Sequence, residues 1–356
     1  MLKKICRRGK DIVLLLYFCC MAPTVLIPRT KNIKAMSTKQ LLTTAALYIA
    51  GIVFFIFSSC NNPKANSPSD TTTSGEVTIS ADESLKPLID SELATFMHTY
   101  SGTKIHVKYK AGEDAINYML NDSARVVVAS RLLRPDELQV YQKRGFTPEV
   151  VTIAVDAIAI IVNGSNTDTN LTTHQVSDIL SGKINTWNGV DKQSPLKDIQ
   201  LIFDNKSSGV VRYIIDSVNH GKALPQNSYA LSNTPAVLDY VAKNKNAIGF
   251  IGLNWVSDKA DSATNAFLKN IHVLSIQPPD SNDFYQPTQY YIAYHGYPYC
   301  RHIYVIDPEA RMGLGTGFAN FMWGDVGQTI ITRMGLLPAH ASMRFTIEVK
   351  KGFNQN

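Results

Sequence analysis

A short apolar stretch followed by polar and small residues, at positions 201–215, offers the clearest chemistry in this chain. Leu-Ile-Phe leads into Asp-Asn-Lys-Ser-Ser-Gly at 204–209, and a helical pattern begins at Val210. The first N–H groups of a helix have no partner within the helix and lie at the positive end of its dipole. Together with serine hydroxyls, such N–H groups can hold an oxyanion. The same residue types also cap helices routinely, so this loop taken alone favours a structural role.

Two more loops of this composition occur upstream. Ser84 follows a predicted strand at 77–80, and Ser130-Arg131 follows a predicted strand at 125–129. In an open parallel sheet, ligands bind beyond the carboxyl ends of the strands, where all three loops would lie. Arg131 and Arg212 suit such a ligand, because an arginine fork donates two parallel charge-assisted hydrogen bonds to an oxyanion. Since three such loops would lie at the same edge of the sheet, one shared ligand is favoured. The predicted ligand-binding residues are Ser84, Ser130, Arg131, Ser207, Ser208, Gly209 and Arg212.

Strands and helices alternate along the body of the chain, which predicts an α/β fold with a parallel sheet. Strands are predicted at 77–80, 104–109, 125–129, 152–162, 201–203, 247–252 and 297–306, and helices at 85–100, 113–121, 173–181, 234–245 and 317–334. The strand at 152–162 is long and β-branched, as expected of a buried strand, and it contains one aspartate, Asp156.

The net charge of +6 belongs to the N-terminal segment. Residues 1–60 hold nine Lys or Arg and one Asp, which leaves a net charge of −2 for residues 61–356. Nucleic-acid binding needs clustered basic charge, so the composition argues against it. After residue 60 the one cysteine is Cys300, so neither a thiolate metal site nor a disulfide framework is expected. No nucleophile elbow surrounds the serines at 207–208 and no His-Glu-x-x-His motif occurs, which predicts binding without turnover or cofactor.

Residues 1–60 have the features of a leader. From Met36, a basic residue, an apolar core and the small pair Ser58-Ser59 precede Cys60. This order is typical of a secretory signal. Its end resembles the lipobox of bacterial lipoproteins, in which the cysteine is lipidated and becomes the mature N-terminus. The alternative is an uncleaved membrane anchor, since the apolar core approaches the roughly 17 residues that a membrane span needs. We expect translation to start at Met36, lipidation at Cys60 and a flexible tether at 61–75.

Several segments, in order along the chain, resemble the phosphate-binding lipoproteins that serve high-affinity phosphate ABC transporters. The resemblance covers residues 77–339. It is carried by Val-Ala-Ser-Arg-Leu-Leu-Arg at 128–134, Asp-Ala-Ile-Ala-Ile-Ile-Val-Asn at 156–163, Val-Ser-Asp-Ile-Leu-Ser-Gly-Lys-Ile-Asn-Thr-Trp-Asn at 176–188, Ala-Ile-Gly-Phe at 247–250 and Gly-Gln-Thr-Ile-Ile-Thr-Arg-Met-Gly-Leu-Leu-Pro at 327–338.

This resemblance implies a two-lobed periplasmic-binding-protein fold of type II, with two crossing strands as the hinge. Lobe 1 would comprise residues 76–154 and 290–356, and lobe 2 residues 155–289. The crossing strands would lie at 156–163 and 297–306, and the lobes would close on a ligand by hinge motion.

The function that the resemblance implies is capture of inorganic phosphate between the lobes and its delivery to the permease subunits of an ABC transporter. The protein would work in the periplasm or cell envelope, anchored to the membrane through a lipid on Cys60.

Two of the three loops depart from the family pattern. The third loop usually reads Arg, three residues, then Ser-Gly-Thr, whereas here Asp204 stands at the arginine position and Val210 at the threonine position. Arg212 lies one turn further on and could supply the missing guanidinium. In the first loop, Asp82 and Glu83 stand where small residues are usual. Either acid could accept a hydrogen bond from hydrogen phosphate, and either would repel a dianion. A receptor for another oxyanion or small anionic solute, without transport, therefore stays open.

Overall fold

The computed structural model describes residues 70–340. The predicted leader, the lipidation site Cys60 and residues 61–69 of the predicted tether lie outside the described residues. None of the helices within 70–340 combines the length and the apolar character that crossing a bilayer requires.

Twelve strands occur in the described part of the chain. They are β1 (Gly75–Asp82), β2 (Thr103–Lys110), β3 (Val127–Ala129), β4 (Glu149–Asn163), β5 (Asn170–Thr172), β6 (Gln200–Phe203), β7 (Ser228–Ala230), β8 (Ala247–Gly252), β9 (Ile271–Val273), β10 (Ser275–Gln277), β11 (Cys300–Asp307) and β12 (Leu337–Pro338). The seven predicted strands are all present, with ends shifted by up to three residues.

Eleven α-helices connect these strands within the same residues. They are α1 (Lys86–Thr99), α2 (Gly112–Leu120), α3 (Pro135–Gln142), α4 (Thr173–Leu180), α5 (Trp187–Val190), α6 (Gly209–Tyr213), α7 (Thr234–Lys243), α8 (Ser262–Leu268), α9 (Gln289–Ala293), α10 (Leu314–Trp323) and α11 (Asp325–Arg333). A π-helical turn (Ile214–Val218) follows α6 directly. The prediction of one helix at 317–334 is wrong: Gly324, in extended backbone at φ −74° and ψ 173°, separates α10 from α11.

Ten of the described strands form one mixed sheet. Its main path runs β2-β1-β3-β11-β4-β8-β6-β7, and β9 and β12 also pair with β4. β1 runs parallel to β2 and β3, and β6 runs parallel to β7 and β8. β4 and β11 run antiparallel to each other. β4 is also antiparallel to β8, and β11 is also antiparallel to β3. The parallel sheet predicted from the sequence is therefore correct toward both ends and wrong in the middle.

Strand β4 belongs to both halves of this sheet. Its residues from Glu149 to Ala157 pair with β11, and its residues from Ile158 to Val162 pair with β8. At the change of partner, Ile158 N donates to Tyr299 O at 2.8 Å, so the chain just before β11 stays beside β4. We call the β2-β1-β3-β11 side the first half and the β8-β6-β7 side the second half. A mixed α/β sheet with helices between its strands agrees with the fold class that the resemblance implied, while the residue boundaries predicted for the lobes stay a prediction.

The apolar run of β4 forms part of the core. Ile153, Ala154 and every residue from Ala157 to Val162 are buried. Asp156 lies fully buried within this run and therefore needs a partner of opposite charge. That partner is found at the site described next.

Candidate functional site

The three predicted loops come together around Gly209, the first residue of α6. A Cβ atom added to Gly209 would overlap Asp82 Oδ2 from the first loop and Ser130 Oγ from the second, and it would lie 3.2 Å from Arg301 Nη1. Only a residue without a side chain fits at this position. Each loop follows a strand and precedes a helix, and the three loops, which are far apart in the sequence, lie together around Gly209.

A cavity of about 150 Å³ opens beside Gly209. Six of the seven predicted ligand-binding residues line it: Ser130, Arg131, Ser207, Ser208, Gly209 and Arg212. Since one water needs only about 10–15 Å³ of such space, a small oxyanion with several waters fits. Segments attached to the two halves of the sheet meet here: Glu113 N, at the start of α2, donates to Ser207 O, in the loop after β6, at 3.4 Å.

Ser84, the seventh predicted residue, lies behind this cavity and is fully buried. Its Oγ accepts from Arg301 Nη2 at 3.0 Å, and its backbone N–H donates to Asp82 Oδ1 at 3.0 Å. Its carbonyl accepts from Asn254 Nδ2 and Trp255 Nε1, both at 2.9 Å. Ser84 therefore belongs to the polar cluster around Gly209 without lining the cavity.

Asp82 is fully buried at the centre of this cluster. Besides the bond from Ser84 N, its Oδ2 accepts from Ser130 Oγ at 3.2 Å. One donor, Ser84 N, belongs to the first of the three loops that the sequence assigns to an oxyanion, and the other, Ser130 Oγ, belongs to the second. A carboxylate of the chain itself thus uses donors that a bound oxyanion would need.

Asp204, at the position where the family has arginine, is also buried, with 3% of its surface exposed. Its Oδ1 accepts from Ser208 Oγ, which in turn accepts from Val211 N at 3.1 Å and caps α6. Burial raises the pKa of Asp204 to about 7; the Ser208 hydrogen bond opposes this rise and the charge of Asp82 adds to it. The charge of the cluster therefore changes near neutral pH.

Arg131 lines the cavity, but two glutamates hold its guanidinium. Nη2 donates to Glu113 Oε2 at 2.9 Å and Nη1 donates to Glu137 Oε2 at 2.8 Å. Although partial burial acts to raise the pKa of Glu137, its bonds to Arg131 and to Arg134 N hold the pKa below its usual value. The charge of Arg131 is thus balanced within the protein.

Arg212 also lines the cavity and is paired as well. Its side chain is half exposed, and its Nε donates to Asp216 Oδ2, one helical turn further on, at 2.7 Å. The residue expected to replace the missing family arginine therefore has a carboxylate partner in its own helical segment.

Arg301 on β11 is the functional candidate that the sequence analysis missed. Its Nε and Nη2 donate to Asp156 Oδ2 at 3.0 and 2.9 Å, and Nη2 also donates to Ser84 Oγ. Its Nη1 is buried and has no hydrogen-bond partner among residues 70–340. A signal for it existed in the sequence, since each predicted crossing strand carries one of these opposite charges, Asp156 and Arg301.

Comparisons with known proteins agree with this fold. The phosphate-binding protein PstS of Staphylococcus saprophyticus is 28% identical over 195 residues, which cover 54% of this chain and 58% of the relative. The chain thus spans less than two thirds of that relative's length.

Solved structures of other proteins share the architecture. A substrate-binding protein from Clostridium perfringens with bound phosphate has a TM-score of 0.63 at 23% identity, over 75% of this chain and 100% of the other. An ABC-type phosphate transport receptor from Vibrio cholerae has a TM-score of 0.55 at 21% identity, over 74% of this chain and 100% of the other. A family model described as a PBP superfamily domain matches residues 66–326, well over half of the chain. This chain therefore belongs to the PBP superfamily.

Proposed function

We propose that this chain is an extracytoplasmic solute-binding protein that holds inorganic phosphate between the two halves of its sheet. It would deliver the phosphate to the permease subunits of an ABC transporter while a lipid on Cys60 anchors it to the membrane. The observation that carries the proposal is the convergence of the three loops, because six of the seven residues predicted from the sequence line one cavity. The relatives and solved structures whose names refer to phosphate support this choice of ligand.

Binding would use hydrogen bonds and charge, without a covalent step or a cofactor. The donors would be the Ser207 hydroxyl, the backbone around Gly209 and, after turning from Asp82 and Asp204, the hydroxyls of Ser130 and Ser208. The second half supplies Ser207 to Gly209 and the first half supplies Ser130, so the ligand would join the halves. Hinge closure about β4 is the motion that this arrangement requires.

A second candidate ligand is another small oxyanion, such as sulfate or molybdate. The observation that favours it is the pair of buried carboxyl groups, Asp82 and Asp204, beside Gly209. They stand where the phosphate-binding family pattern has a small residue and an arginine, so the site departs from the pattern that goes with phosphate.

Calorimetry on the purified full chain in detergent tests both candidates. We expect saturable binding of phosphate at one site, with no consumption of ligand, and weaker binding of sulfate and molybdate. Ser130→Ala should weaken phosphate binding, while Ser123→Ala, in a surface loop where Oγ donates to Asn121 O at 3.4 Å, should not. Heat with sulfate or molybdate and none with phosphate would support the second candidate; absence of binding by all three would overturn the proposal.

A further inference from the structure

We infer that Arg301 supplies the guanidinium that contacts the bound oxyanion, replacing the family arginine whose position Asp204 occupies. This inference rests on the proposed function of the site as an oxyanion cradle. It assigns the charged ligand-binding group to β11, in the first half of the sheet and outside all three loops that the sequence singles out.

The first argument is the unused donor of Arg301. A guanidinium has five N–H donors, and here Nε and Nη2 account for the bonds to Asp156 and Ser84. Within the described part of the chain, both hydrogens of Nη1 are left without a partner, although Arg301 is only 3% exposed. A buried charged donor without an acceptor is unfavourable, so it needs an explanation, and a bound oxyanion supplies the missing acceptor.

The second argument is where Nη1 lies. It is 3.2 Å from the point that a Cβ of Gly209 would occupy, and Ser130 Oγ and Asp82 Oδ2 lie on the same side of that glycine. Asp82 Oδ2 and Ser130 Oγ fill the space that a side chain of Gly209 would take. If the Ser130 hydroxyl turned from Asp82 to an oxyanion beside Arg301 Nη1, the ligand would receive one donor from β11 and one from the loop after β3.

The third argument is that the guanidinium is fixed before any ligand arrives. Arg301 and Asp156 are register partners on β11 and β4. Gly252 leaves room for this pair, because a Cβ there would lie 3.0 Å from Arg301 Nη2 and 3.1 Å from Asp156 Oδ2. A fork held in this way loses little conformational freedom when it binds an anion.

Two variants of Arg301 test the assignment by calorimetry with phosphate, sulfate and molybdate on the full chain in detergent. Arg301→Lys keeps the positive charge beside Asp156 and removes Nη1. The double variant Asp156→Asn with Arg301→Gln removes both charges together, so no buried charge is left unpaired. We expect each to raise the Kd of the bound oxyanion about tenfold or more, the effect of one charge-assisted hydrogen bond.

The matched control is Arg144→Gln, an exposed arginine whose Nη1 donates to Asp122 Oδ1 at 2.7 Å. Its Kd should equal that of the unsubstituted chain, and thermal melting without ligand should show that every variant is folded. A crystal structure of the unsubstituted chain with the oxyanion adds a readout that needs no variant: an anion oxygen should lie within hydrogen-bond distance of Arg301 Nη1.

The outcomes separate the two proposals. If phosphate binds and folded Arg301 variants bind it equally well, or the crystal places the anion beyond hydrogen-bond reach of Nη1, the assignment of Arg301 is overturned and the proposed function stands. If only sulfate or molybdate binds and the Arg301 variants weaken it, Arg301 is supported and phosphate is excluded. If none of the three binds to the unsubstituted chain, both proposals fail.

Discussion

Arginines lie on two sides of Gly209, and the sides differ in how the protein holds their charge. On the hinge side, Arg301 is buried against one carboxylate, Asp156, and one of its nitrogens has no partner among the residues that the structure describes. On the cavity side, Arg131 is shared by two glutamates, and the half-exposed Arg212 is paired with Asp216.

The difference shows that closeness to a cavity does not make a donor available. Glu137 is held in place as the third residue of α3, where its Oε2 accepts from Arg134 N at 2.7 Å, and this brings it to Arg131. Asp216 lies four residues after Arg212, the spacing at which helical side chains meet. The cavity-side arginines thus complete local ion pairs, whereas Arg301 has a donor to spare.

The largest effect in this comparison is expected from Gly209→Ala, because Gly209 separates the two sides. The added Cβ would overlap Asp82 Oδ2 and Ser130 Oγ, so the loops must move apart. We expect phosphate binding to fall below detection by calorimetry. Gly102→Ala is the control, since its Cβ would meet Ser74 Cβ at an ordinary 3.6 Å. Retained binding in Gly209→Ala would show that the ligand site does not depend on this close approach.

A smaller effect, which depends on pH, is expected from Asp204→Asn. The pKa of Asp204 is raised to about 7 by burial, with Asp82 and Glu83 adding to the rise and Ser208 and Arg301 opposing it. As pH rises through 7, Asp204 loses its proton and adds a negative charge that repels an oxyanion. We expect Asp204→Asn to bind phosphate several-fold more tightly at pH 8 and about equally at pH 6. The titration of phosphate itself is common to both proteins and cancels in the ratio of their Kd values.

The same substitution should change how stability depends on pH. A carboxyl group whose pKa is raised above its usual value of 3.8 binds a proton more tightly in the folded than in the unfolded chain. Stability therefore falls as pH rises from about 4 through 7. Chemical denaturation at pH 5 and pH 8 should show a smaller loss of stability in Asp204→Asn. An equal loss in both proteins would mean that Asp204 does not titrate in this range.

The sequence predicted the loops because their signals are local. A strand, a Ser-containing turn and a helix follow one another within about fifteen residues, and this pattern can be recognised without the rest of the chain. The family resemblance then supplied the two-lobed arrangement. The prediction of a parallel sheet failed at β4 and β11, because their direction depends on how the halves connect.

Arg301 could not be placed from local patterns. Its role depends on the pairing of β4 with β11, which brings together residues 145 positions apart. Composition shows only that Asp156 needs a partner; the register of the strands decides that the partner is Arg301 and that Nη1 is left over. For the same reason, the sequence could not show that Glu113 and Glu137 hold Arg131.

The smallest effect is expected from Arg212→Ala, although the sequence pattern makes Arg212 the natural replacement for the missing family arginine. The side chain is half exposed and paired with Asp216, and exposed ion pairs contribute about 0–1 kcal/mol. We therefore expect the Kd for phosphate to change less than about fivefold, below the change in Arg301→Lys measured in the same calorimeter. If phosphate binding were weakened more in Arg212→Ala than in Arg301→Lys, the comparison would be reversed. The contact with the anion would then lie on the cavity side, where a guanidinium must leave its carboxylate to bind.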